Sequence, residues 1–192
     1  MNRRLLVLSL RGTLLDRLHV SDSRNVAFDP SATVGVYRYW VRPHAREFVT
    51  WAGEHFDLAI WSSATMRNNT PMIKALNVPG FDPVFTWSRE HTRADDHRRN
   101  HVVEEDDSWA TTKPVDLILR EYPKYQANDV LVVDDSASKL RYWSHHFIAV
   151  PTFDVSNLAA VNDSAMVNLK RDLELDVSGA KRITFPHFVQ QS

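Results

Sequence analysis

The 192-residue sequence contains no cysteine. Disulfides, thiolate nucleophiles and cysteine-type zinc sites are excluded together. No uninterrupted apolar run approaches the ~20 residues that cross a bilayer as a helix. Met1, Asn2, Arg3 and Arg4 lead straight into the first predicted strand, so no cleavable leader is read there. Neither sign of charge dominates: 23 Lys plus Arg stand against 24 Asp plus Glu, a formal net charge of -1. Bulk electrostatics thus gives no ground for a nucleic-acid or anionic-membrane partner. There is no internal repeat, heptad or low-complexity tract, and the nine histidines lack metalloprotease spacing.

What is present is ordinary for a soluble globular protein, with 43% hydrophobic and 24% charged residues. The length suits one domain with a sizeable core. The expectation is a single domain over 1–192, with its core over about 4–175. A polar insertion at 89–112 and a tail at 176–192 complete it.

Strand and helix patterns alternate along the chain. Leu5-Leu6-Val7-Leu8 is an apolar run that breaks at Ser9 and turns at Gly12-Thr13, the look of a buried parallel strand. Residues 16–39 read as loop plus a hairpin, with 34–41 the most strand-like part. A helix is predicted from Pro43 through His55, with Ala45, Phe48, Trp51 and Ala52 on one face. Then come a strand at 57–61, a helix at 66–76, a strand at 82–87 and a helix at 114–122. Strands at 130–133 and 147–150 and an amphipathic helix at 164–175 close the chain. This order predicts an α/β doubly wound, mainly parallel sheet with helices on both faces. Ligands in such sheets sit outside the carboxyl ends of the strands, where Ser9, Arg11, Ser62, Asp134 and Asp135 fall.

Four stretches, in order, resemble the motifs of the haloacid dehalogenase superfamily. Within it the match is to the NLI-interacting-factor-like branch, which includes RNA polymerase II C-terminal-domain phosphatases. Leu5 to Thr13 corresponds to the first motif, Ile60-Trp61-Ser62-Ser63-Ala64 to the second, Thr112-Lys113-Pro114 to the third and Val133-Asp134-Asp135-Ser136 to the fourth. Trp40-Val41-Arg42-Pro43 is similar to the family's Tyr-x-Arg-Pro. Trp87-Ser88-Arg89-Glu90-His91 resembles its Arg-Glu/Asp segment, and Asn162-Asp163-Ser164 its Asp-rich lead into the last helix. The resemblance implies a HAD-like Rossmannoid fold without a large cap domain. It also implies a phosphoryl-holding role for Ser62 and Lys113 and a Mg²⁺ ligand at Asp135.

The first motif departs from the family where chemistry is done. Ser9 stands at the nucleophilic Asp and Arg11 at the acid/base Asp. A carboxylate attacking phosphorus gives an activated acyl phosphate; a serine would give only an alcohol ester. A guanidinium does not release its proton in proteins, so Arg11 cannot act as acid or base. Mg²⁺ prefers hard oxygen ligands, and one carboxylate has become a neutral hydroxyl. At an effective dielectric of ~20, unit charges ~4 Å apart interact by about 4 kcal/mol. Arg11 is therefore expected within salt-bridge distance of Asp134 or Asp135, in place of the ion.

Ordinary roles fit the same residues. Asp134, Asp135 and Ser136 suit the cap of a following helix, Ser62 and Ser63 suit a turn, and Lys113 suits a surface. Arg93, Arg98 and Arg99 suit RNA phosphates, although the acidic run Glu104, Glu105, Asp106 and Asp107 compensates them. The resulting expectation is a catalytically inactive phosphatase-like domain that needs no cofactor. It would bind a protein partner or sit in a multi-subunit assembly, with RNA or a phosphopeptide as further ligands. Two alternatives stand: an active Mg²⁺-dependent Ser/Thr phosphatase with relocated groups, for which Asp16, Asp134, Asp135 and the histidines are candidates, and an RNA-contacting scaffold. The expected place is inside the cell, in cytoplasm or nucleus, with the mitochondrion as the alternative.

Overall fold

The computed structural model describes residues 3–94 and 111–190. Six strands form one sheet in the order β11-β10-β9-β1-β5-β6, with every neighbouring pair parallel. They are β1 (Leu5–Leu8), β5 (Asp57–Trp61), β6 (Thr86–Trp87), β9 (Val130–Asp134), β10 (Phe147–Ala149) and β11 (His187–Phe188). β1 lies centrally, with Leu6 beside Leu58 on one flank and Leu131 on the other. Alternate side chains leave a strand on opposite faces. Leu6 and Leu8 therefore join one core layer, while Leu5 and Val7 join another.

Among the described residues four α-helices cover these layers: α1 (Ala45–His55), α2 (Met66–Leu76), α3 (Val115–Glu121) and α4 (Ala165–Val177). Phe48 and Val49 of α1, Met72 and Leu76 of α2, and Met166 and Leu169 of α4 pack with Leu6 and Leu8. Val115 and Ile118 of α3 pack on the other face, with Leu5, Val7 and Trp61. The sheet is thus dry on both sides, and this is why its strands read as continuous apolar runs. The chain steps from β1 to β5 and β6 in one direction and to β9 and β10 in the other. Strand order consequently reverses beside β1, at the ends that carry Ser9 and Asp134.

The structure departs from the sequence expectations in several places, and the strand expected at 82–87 is confined to Thr86–Trp87. Residues 16–39 keep a loop at 20–31 but also supply a three-stranded antiparallel sheet made by β2 (Leu15–His19), β4 (Tyr37–Val41) and β3 (Ala32–Val34), in the order β2-β4-β3. The core also continues past residue 175. α4 runs to Val177, β11 adds a parallel strand beside β10, and Val189 is buried. A two-residue strand carries too little periodicity to be read in advance. Of the polar stretch at 89–112, a two-stranded pair remains, β7 (Arg93–Ala94) with β8 (Thr111–Thr112). Arg98, Arg99, Trp109 and the Glu104 to Asp107 run lie outside the described residues. No helix among the described residues is long and apolar enough to cross a membrane.

Candidate functional site

The carboxyl ends of β1, β5 and β9 open on a cleft of about 390 Å³, lined among others by Ser9, Arg11, Ser62, Arg89, Asp134 and Asp135. Ser9 follows β1 directly, and its amide donates to the carbonyl of Val133, keeping it in line with the end of β9. Its side chain faces the cleft while the residue is only 6% exposed. Ser62 leaves β5, and its hydroxyl accepts from the Ala64 amide at 3.1 Å, turning the chain toward α2. Ser62 thus performs a turn role and lines the cleft as well.

Gly12 makes the turn behind Ser9 with φ of 81°, a value that favours glycine. A Cβ there would lie 2.3 Å from Oδ2 of Asp135, so the acid rests directly against the turn backbone. The buried Thr13 hydroxyl donates to Asp135 Oδ1 at 3.4 Å and the Thr152 hydroxyl to Oδ2 at 3.0 Å. Burial pushes the Asp135 carboxyl up from the ordinary range, as does the charge of Asp134, while the Thr152 hydroxyl pulls the other way. A carboxyl raised in the fold holds its proton more tightly there than in the unfolded chain. Its cost is present at neutral pH and is relieved as pH falls through the folded value.

The cation at the acidic pair is Lys113, not Arg11. Lys113 is fully enclosed, and its Nζ donates to Asp134 Oδ2 at 2.5 Å and to the Trp61 carbonyl at 2.5 Å. Asp134 Oδ1 accepts from the Ser136 amide at 2.8 Å, so both oxygens are engaged. Arg11 instead sends Nε to Asp16 Oδ1 at 3.2 Å, and its side chain remains 56% exposed. The expected bridge from Arg11 to Asp134 or Asp135 is therefore corrected. The reason is positional: β2 returns beside the first-motif turn and presents Asp16, an acid that Arg11 reaches without leaving water. The β8–α3 connection meanwhile carries the lysine into the interior.

Arg11→Ala is accordingly expected to change stability by less than about 1 kcal/mol, because an exposed pair is weakened by solvent. Asp16 keeps acceptor contacts from the amides of Arg17 at 2.7 Å and Val155 at 3.4 Å. Thermal melting of the variant checks this. A loss of several kcal/mol would show that Arg11 is buried against the acids in solution.

Behind the cleft, Arg42 and Asp163 form a bidentate pair, Nε to Oδ1 at 2.8 Å and Nη2 to Oδ2 at 2.8 Å, with Arg42 1% exposed. Nη1 of Arg42 donates to the Thr13 carbonyl at 3.0 Å, which ties the first-motif turn to the start of α4. Both residues sit in family-like stretches of the sequence. Their pairing across the fold had no local signal. Thr152, Arg17 and Lys139 are likewise residues that motif reading did not single out.

These geometries accord with the matches to known proteins. The model of the NLI interacting factor-like phosphatases matches residues 4–184. This chain belongs to that family. No curated protein matches the sequence. Among solved structures, a substituted form of the fission yeast RNA polymerase II CTD phosphatase Fcp1, bound to beryllium fluoride, is similar at a TM-score of 0.53 and 18% identity, over 79% of this chain and 42% of that one. A second structure of Fcp1, described as an essential RNA polymerase II CTD phosphatase, gives a TM-score of 0.52 and 20% identity, over 92% and 50%. This chain therefore spans half or less of the length of those structures. At such identity the likeness establishes a shared fold.

A Mg²⁺ ion of the kind the resemblance implies does not fit the residues present. The strand-end carboxylate is a hydroxyl at Ser9, Asp134 is committed to Lys113 and Ser136, and Asp135 stands as the one remaining acid of its motif. Among the described residues no three His, Asp or Glu side chains are grouped to hold a metal.

Proposed function

We propose that this chain is a catalytically inactive phosphatase-like domain that works by binding, as a subunit or adaptor of a larger protein or ribonucleoprotein assembly. The observation that carries this reading is the content of the first motif. A hydroxyl stands where the reaction needs a carboxylate, and a guanidinium paired with Asp16 stands where it needs an acid/base. Loss of a nucleophile alone costs on the order of 10⁶ in kcat in a serine protease. Here the acid/base is replaced as well, and Lys113 is locked into the interior. The family's fold supports a role in recognising phosphorylated protein. We place the domain inside the cell, in cytoplasm or nucleus, with the mitochondrion as the alternative.

One observation favours the rival reading of an active enzyme with relocated groups. Asp135 lines the cleft with a raised carboxyl, the property a general acid requires. An assay separates the two. Purified protein with Mg²⁺ is expected to release phosphate from aryl phosphates and phosphopeptides no faster than Asp135→Ala does. Turnover that survives Ser9→Ala and disappears in Asp135→Ala would establish relocated chemistry. The RNA-scaffold reading retains only Arg93 among the described residues, and that side chain pairs with Asp116 at 2.8 Å.

A further inference from the structure

We propose that the groove between β10 and α4 is a strand-docking site that takes residues 183–189 of a second copy of this chain in exchange for its own. The proposal stands apart from the strand-end cleft and from whether that cleft turns over phosphate.

Within one copy the chain's own C-terminal segment fills the groove, and it does so in the manner of a bound peptide. From Ile183 to Val189 the odd-numbered residues turn inward and the even-numbered ones face solvent. Ile183 and Phe185 pack on the core layer of Leu6 and Leu8, and Val189 is buried in it. That period of two belongs to an extended strand covered on one face. His187 pairs with Ile148 and Phe188 with Ala149 in a parallel ladder, and the Val189 amide donates to the Ala149 carbonyl at 2.9 Å. Backbone bonds to a sheet edge, with recesses for alternate side chains, are the means by which an edge recognises a separate peptide.

Helix α4 supplies the other wall through three side chains spaced one turn apart. Asp176 Oδ1 accepts from the Ile183 amide at 3.0 Å, and Asp172 Oδ2 meets His187 Nε2 at 2.8 Å. Asn168 Nδ2 donates to the Gln190 carbonyl at 2.8 Å. The segment therefore runs antiparallel to the helix, read by its backbone at both ends and by a ring in the middle.

Little holds the segment in place. Of residues 181–190 only Val189 is buried, and the ladder is two residues long. Residues 178–182 are exposed throughout and turn back at Gly179, whose φ is 74°. Backbone bonds at the end of α4, such as the Lys181 amide on the Leu175 carbonyl, keep that turn closed. A unit with so few buried contacts opens at a lower cost than the whole fold. Once open, it leaves β10 with a bare edge beside an apolar groove. The same segment of another copy makes identical contacts there, and only the turn at 178–182 changes. Tethered in its own copy, the segment competes at an effective concentration on the order of millimolar. Exchange thus belongs to high local concentration, as in an assembly that holds two copies together.

A chain without cysteine lends itself to a cross-linking test. Neighbouring strands lie about 4.7–4.9 Å apart, within the span of a disulfide. Ala149→Cys with Phe188→Cys in one chain is expected to close inside the monomer on oxidation. Two copies of different tag length, one with Ala149→Cys and the other with Phe188→Cys, are then mixed, at rest and after passage through mild urea. A cross-linked heterodimer is expected, and raising the protein about tenfold should raise its share about threefold or more, as mass action requires. Thr184→Cys, exposed on the same segment but not opposite Ala149, should link to the Ala149→Cys copy at less than about a fifth of that yield. In the unsubstituted chain the Ile183 and Val189 amides should exchange hydrogen together, at least about tenfold faster than those of Val7 and Val132. Closure inside the monomer without any heterodimer after urea overturns the proposal. Failure of the double variant to close also overturns it, by placing Phe188 away from Ala149. Equal linkage through Thr184→Cys would show random collision, and core-like protection of Ile183 and Val189 would show a segment that does not leave; either result overturns it.

Discussion

Lys113→Met is expected to destabilise the domain by about 3–5 kcal/mol, the usual cost of removing one partner of a buried ion pair. At this chain length that corresponds to a fall in melting temperature of roughly 6–20 °C. Methionine keeps most of the stem's volume, so the loss reports on charge rather than on a cavity. What is left behind is Asp134, almost wholly buried at the end of β9, with Oδ2 unpaired and the Trp61 carbonyl deprived of its donor. The double substitution Lys113→Met with Asp134→Asn should recover at least half of that loss, because a neutral amide is far cheaper to bury than a lone carboxylate. Urea unfolding followed by circular dichroism measures both variants. A single substitution that leaves stability unchanged would mean that the pair opens in solution, with the lysine available to a ligand.

This prediction differs from what motif reading alone suggests, since a third-motif lysine is expected to serve a phosphoryl group. The change of role explains which parts of the protein were legible in its sequence. Strands such as Leu5–Leu8 and Val130–Asp134 are buried on both faces, so their apolar runs declare themselves without knowledge of any partner. Helix Met66–Leu76 shows in the pattern despite Pro71, since the apolar Met72, Ala75 and Leu76 keep helical spacing beyond it. By contrast, β2, β3 and β4 mix buried, half-buried and exposed positions, and their pairing depends on neighbours distant along the chain.

The site followed the same division. Ser9, Ser62, Asp134 and Asp135 meet at one cleft because strand ends of a parallel sheet converge by construction. Side-chain pairing does not follow from strand order. Arg11 lies one residue before the turn, and either acidic group stood within plausible reach of it. The register of β2 on β4 decides for Asp16, placing it opposite Trp40. That register sits in the segment whose pattern is weakest.

The other large effect is expected at Arg42, where one guanidinium joins three parts of the chain. It holds both oxygens of Asp163 and the Thr13 carbonyl, while Asp163 Oδ1 also accepts from the Ala165 amide at the start of α4. Arg42→Met should therefore cost about 3–5 kcal/mol, because it takes the bidentate cation away from a buried carboxylate at the helix start. Arg42→Lys should recover little of it, because an ammonium is a point donor and cannot reproduce the planar fork. Asp163→Asn keeps an acceptor for Ala165 and is expected to lose less than Arg42→Met. The double variant Arg42→Met with Asp163→Asn should fall well short of the sum of the two single losses, as expected for residues in contact. The clamp also bears on the cleft, since Thr13 touches Asp135 and follows the Gly12 turn packed on that acid. Hydrogen exchange at the Thr13 and Leu14 amides, both bonded to the Leu10 carbonyl, should accelerate in Arg42→Lys well below its melting temperature. Full protection there, together with near-additive single losses, would show that the turn holds itself and that the pair secures only the start of α4.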